Sequence, residues 1–95
     1  MAQVAHDVTA NVDRMLRYLR GRWEDIPFAA SEWERWDRFE RVDYLSDWPV
    51  VESYMDLLGQ HAAQGDLTPA QQQRYGRLLR LVARVNPMLE QMMQD

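Results

Sequence analysis

The chain has no cysteine. That absence removes disulfide staples, thiolate nucleophiles, iron–sulfur clusters and thiolate zinc sites together. Lysine is missing too, so all eleven positive charges are arginine; the base composition of the coding sequence accounts for this as readily as function does. Apolar residues nowhere run for half the thickness of a bilayer, and the first twelve residues lack a basic stretch followed by an apolar run. Neither a membrane span nor an export signal is therefore expected, and a cytoplasmic setting is the default. Glycine-rich phosphate loops, nucleophile elbows, zinc fingers and RNP sequences are also lacking, and the chain offers no cofactor motif.

What remains is a chain of 95 residues, 46% hydrophobic and 27% charged, which suits one globular domain spanning 1–95. A chain of this length hides roughly 60 to 65% of the surface its unfolded form exposes, so its core is modest and burial against a second copy is useful. The net charge of −4 is unevenly spread: residues 1–30 hold four acids and four arginines, residues 31–66 nine and three, and residues 67–95 two and four. The middle is thus acidic and the end basic, a pattern most simply read as helices of one chain facing each other with matched rims.

The apolar pattern is helical throughout. Val4, Val8, Val12, Met15, Leu16, Leu19 and Trp23 follow steps of four, four, three, one, three and four that stack on one face of a first helix, which Pro27 is expected to end at Ile26. Ser31 and Glu34 have capping-box spacing and start a second helix, supported by Glu34–Arg38 and Asp37–Arg41 pairs. Pro49 opens a third, running to about Ala63 with Val51, Tyr54, Met55, Leu58 and Ala62 inward, and Gly65 and Asp66 turn the chain. Thr68, Pro69 and Gln71 start a fourth, whose inner face is Tyr75, Leu78, Leu79, Val82 and Val85 and continues to Leu89, Met92 and Met93. The expected fold is all-α: a compact bundle of about four helices, the third and fourth forming an antiparallel hairpin, with a kink or a short fifth helix at Pro87. Gly59 and Gly76 either mark a close crossing within that hairpin or are simply tolerated.

One local feature stands apart. Trp33, Trp36, Phe39, Val42, Leu45 and Trp48 follow a strict step of three. At about 100° per residue each step falls about 60° short of a full turn, so the six positions wind around a continuous helix instead of forming a stripe. Either the helix breaks before Trp48 or several neighbours cover it, one of which is a candidate second chain. Packing between helices is the first explanation for so many large rings. The second places Trp33, Trp36, Phe39 and Trp48 at a protein interface, joined by the adaptable side chains of Met88 and Met92 near the end. The expected partner is the chain itself or another protein.

Arg74, Arg77, Arg80 and Arg84 form a row on the fourth helix, and Arg14 and Arg17 begin another on the first. Such rows track a phosphate backbone or, more often, solvate a surface; with a sequence pI near 5.1, nucleic acid is the alternative partner and not the leading one. His6 and His61 stand in no ligand motif, so no metal is expected. The carboxylates Glu32, Glu34, Glu40 and Asp43 lie in an arginine-laced segment where solvation explains them, and Ser31, Ser46 and Ser53 have no activating context. A non-catalytic interaction protein is expected.

Overall fold

The computed structural model describes the backbone of residues 2–94 and the side chains of residues 7–94, so the side chains of Val4 and His6 lie outside the described residues. Four helical segments and one 3-10 turn follow in order: α1 (Ala2–Glu32), the turn (Trp33–Arg35), α2 (Arg38–Leu45), α3 (Trp48–Ala63) and α4 (Pro69–Gln94). The fold is all-α, with no strand among the described residues. Three of these helices are long, and α2, at eight residues, is a two-turn connector. The body measures 50 × 22 × 17 Å, an elongated shape in place of the expected compact one. Its length follows from α1, whose 31 residues extend about 46 Å at 1.5 Å each.

α1 is the spine, and it is the main neighbour of both α3 and α4. Trp23 meets Trp48 and Tyr18 meets Tyr54, so α3 runs antiparallel to α1. Asp13 meets Gln71 and Arg74 at one end, and Trp33 lies beside Met88 and Met92 at the other, so α4 runs parallel to α1. Val12, Leu16, Leu19, Trp23, Ile26 and Ala29 form one buried stripe along α1, which Trp33 of the 3-10 turn extends. α4 answers with Gln71, Leu78, Val85 and Met92 at seven-residue intervals, plus Leu89. Fully burying each such apolar side chain stabilises by about 1.5 to 3 kcal/mol.

The stripe explains why Pro27 does not end α1. An interior proline costs roughly 3 kcal/mol through the lost hydrogen bond and ring clash. Its ring is exposed, however, while Ile26, Ala29 and Trp33, which only a continuing helix keeps in line with the core, are buried. Their combined burial exceeds the penalty. Ser31 consequently lies inside α1, its Oγ donating to the Phe28 carbonyl at 2.6 Å, and is not a cap. The cap of α2 is Asp37: Glu40 N donates to Asp37 Oδ1 at 2.8 Å and Asp37 N to Glu40 Oε1 at 3.3 Å. Arg41 turns its Nε to the Trp33 carbonyl at 2.9 Å, which replaces the expected Asp37–Arg41 pair.

Elsewhere local signals and structure agree. Gly65 takes the left-handed conformation (φ 77°) after α3. The Thr68–Gln71 box closes with Gln71 N donating to Thr68 Oγ1 at 3.1 Å and Thr68 N to Gln71 Oε1 at 3.0 Å. Gln71 also donates through Nε2 to the Thr9 carbonyl at 3.0 Å and to Asp13 Oδ1 at 2.8 Å, which pins the start of α4 to α1. α4 passes through Pro87 without a fresh start, and there is no fifth helix among the described residues. Leu79 and Met93, expected inside, are exposed, and Leu81 packs against the core. A Cβ on Gly59 would meet the Tyr75 hydroxyl at 3.6 Å and one on Gly76 only Arg80 of its own helix at 3.7 Å, so neither glycine marks a close backbone crossing.

Candidate interaction surfaces

The step-of-three row is cut twice. Trp36 adopts an extended backbone (φ −81°, ψ 138°), and the chain turns again at Ser46 and Asp47. Trp33 therefore sits on the 3-10 turn, Phe39, Val42 and Leu45 on α2, and Trp48 at the start of α3. Breaking the rod lets one chain cover rings that a continuous helix cannot. Trp33 is 4% exposed and Trp48 3%, so these two are core residues and not the interface residues expected.

The buried rings hold α2 against the spine. Trp33 contacts Trp36 (centroids 5.8 Å apart) and Tyr44 (6.3 Å), and Trp36 contacts Tyr44 (5.3 Å). The Arg41 guanidinium lies 5.3 Å from the Trp33 ring centre, and that of Arg22 5.7 Å from Tyr44 and 5.5 Å from Trp48, while Arg22 also pairs with Asp47. Tyr44 donates to Asp25 Oδ2 at 2.7 Å; burial, and then this bond to a carboxylate, push its phenol above the ordinary range. The aromatic load is thus mostly structural.

Three surfaces remain. The first is a cleft of about 850 Å³ at the α2 end, lined by Trp33, Trp36, Val42, Leu45, Met92 and Met93 with Arg38 and Arg41 at its lip. Met88 lies in the adjoining hollow beside Trp33 and Met92. The structure so brings together four of the six expected interaction residues, with Met92 itself buried. Phe39 stands apart on the outer face of α2, 85% exposed, and Val42 on the same helix is 62% exposed. Val42 and Met93 line this cleft without being among the expected interface residues, although Val42 belongs to the step-of-three row.

The second surface is the groove between α1 and α4, about 400 Å³, where Arg74, Arg77, Arg80 and Arg84 converge with Arg20 over Leu16, Leu78 and Leu81. Arg20 has no mark in the sequence as a member of this set; only the parallel register of α1 and α4 puts it there. Arg74 pairs with Asp13 at 2.9 Å and Arg20 with Glu24. The hydrogen bond from Gln71 and the charge of Arg74 outweigh desolvation and hold the Asp13 carboxyl below its usual range. Arg77, Arg80 and Arg84 have no ion-pair partner among the described residues, so the basic rim of α4 does not meet the acidic middle of its own chain. Arg14 lines the third surface instead, an α1–α3 groove with Met15, Tyr18, Val50, Tyr54 and Leu57.

Function has to be read from these surfaces. No protein-family model, curated protein or solved structure matches the chain. Among the described residues no group of three or more histidine, aspartate or glutamate side chains is placed to hold a metal, and His61 is engaged with Asp66 at 2.9 Å. No described helix is long and apolar enough to cross a membrane. The hydroxyls of Ser31 and Ser46 both donate to nearby backbone carbonyls.

Proposed function

We propose that the chain is a cytoplasmic, non-catalytic protein-interaction module that self-associates through the α2 end. In this reading the functional unit is a bundle of four helices, with α3 and α4 as an antiparallel hairpin supporting the α2 connector. The observation that carries the proposal is Phe39, a phenyl ring 85% exposed beside Val42 at 62%, on a helix that the Trp33–Trp36–Tyr44 cluster holds in place. Covering such a ring is worth about 1.5 to 3 kcal/mol, and a two-fold contact gains it twice. Val42 also lines the cleft that holds Trp36 and the exposed Met93, so that cleft can extend the contact. Phe39→Ser leaves the core untouched and is expected to lower the mass-average molecular weight measured by light scattering, with the helical circular dichroism unchanged. An unchanged molecular weight would remove Phe39 from the interface.

A second reading, nucleic-acid binding along Arg74, Arg77, Arg80 and Arg84, is favoured by their convergence with Arg20 on one groove. It predicts a salt-dependent mobility shift of duplex or single-stranded DNA or RNA. The absence of any shift at low salt ends it.

A further inference from the structure

We propose that the groove between α1 and α4 binds a compact polyphosphate, several phosphate groups held close together on a small soluble molecule. The groove is separate from the α2 end, so this site and self-association stand or fall independently.

The helical register builds the site. On α4, residues 74, 77, 80 and 84 follow steps of three, three and four, which at about 100° per residue keeps them within about a third of the helix circumference. Arg20 enters from α1, which runs parallel to α4 along the other wall. Guanidinium groups from two helices thus line one concavity of about 400 Å³, within the range of about 300 to 1,000 Å³ usual for small-ligand sites.

Charge defines what the groove takes. Five arginines and one acid, Glu24, line it. Glu24 pairs with Arg20 and Asp13 with Arg74, which leaves Arg77, Arg80 and Arg84 with no ion-pair partner among the described residues. Three unneutralised cations therefore stand along about 10 Å of one wall, in a chain whose net charge is −4. Arg77 and Arg80 are three residues apart and Arg80 and Arg84 four, spacings at which like charges on a helix repel and destabilise it. A bound anion removes that repulsion.

The guanidinium fork selects phosphate. Its paired N–H donors match two oxygens of one phosphate and its charge is permanent, so successive forks suit successive phosphates. The row is also short. At its start Arg74 is held by Asp13, and beyond Arg84 helix α4 has no further arginine and carries Glu90. A nucleic-acid backbone that continues past either end meets carboxylates, whereas a compact polyphosphate ends within the row.

The test is isothermal titration calorimetry of the full chain with inorganic tripolyphosphate at about 50 mM salt, where screening is modest. Wild type is expected to bind a single tripolyphosphate, and to bind orthophosphate at least about tenfold more weakly because fewer forks are engaged. Arg77→Gln with Arg80→Gln should weaken tripolyphosphate binding about a hundredfold, roughly tenfold for each guanidinium removed, with the helical circular dichroism unchanged. Arg35→Gln, on the 3-10 turn, should leave it unaltered. Tripolyphosphate should also raise the thermal midpoint of wild type and not of the double variant. Neither binding heat nor a raised midpoint in wild type overturns the proposal, as does an equal loss of binding in Arg35→Gln. A DNA duplex that is lost with the double variant and is not displaced by tripolyphosphate assigns the groove to nucleic acid and overturns it too. Pelleting with vesicles that carry a bisphosphorylated inositol lipid, where tripolyphosphate fails to bind, moves the phosphates to a membrane surface and overturns the soluble ligand.

Discussion

Trp23 of α1 and Trp48 of α3 meet edge to face, their ring centroids 5.1 Å apart and their planes at 78°. Arg22, one residue before Trp23, stands over the Trp48 ring and pairs with Asp47, so the start of α3 is fixed to the middle of the spine by packing and charge together. Removing the Trp48 ring leaves a large cavity in a small core. Trp48→Ala is expected to cost about 3 to 5 kcal/mol, a large share of the 5 to 15 kcal/mol typical of a domain. The urea midpoint should fall accordingly, with Trp48→Phe intermediate; a loss below about 1 kcal/mol would show that the site collapses freely.

Pro27 gives a prediction of the opposite sign. Its ring is exposed and α1 continues past it, so the chain bears the cost of a missing helical donor with no packing in return. Pro27→Ala should therefore stabilise the fold by about 1 to 3 kcal/mol and raise the thermal midpoint. A destabilised variant would mean that the proline sets a bend that the α1–α4 contact needs.

The Asp13 carboxyl, which accepts from both Gln71 and Arg74, is held below its usual range chiefly by the Gln71 bond. A carboxyl whose pKa is lower folded than unfolded contributes stability that is complete above the unfolded value of about 4 and fades as the pH falls through the lowered folded value. Stability should accordingly fall as the pH drops below about 4, and fall less in Asp13→Asn. In Gln71→Leu the Asp13 pKa, followed by NMR, should move up toward the unfolded value. No movement would make Arg74 the dominant influence instead.

The start of α4 was legible because its signal is local: Thr68, Pro69 and Gln71 make their contacts within one turn. The start of α2 was not, because Ser31–Glu34 and Asp37–Glu40 have the same spacing and only the burial of Trp33 beside Met92, distant in sequence, selects the second. The same non-local burial carries α1 past Pro27. On the surfaces, the arginine row of α4 could be read from the sequence, but its companion Arg20 and the leucine base depend on the parallel register of α1 and α4. The step of three correctly signals a conflict around Trp33 to Trp48; breaking the helix resolves it for Trp33 and Trp48 and leaves Phe39 and Val42 outside.

Whether Phe39 and Val42 stay outside in solution is the central question, and sedimentation velocity of the unmodified chain over about a hundredfold range of concentration answers it most directly. Mass action on a self-associating chain predicts a sedimentation coefficient that rises with concentration toward that of a dimer or larger species. A single monomer value, constant across the whole range, contradicts the account.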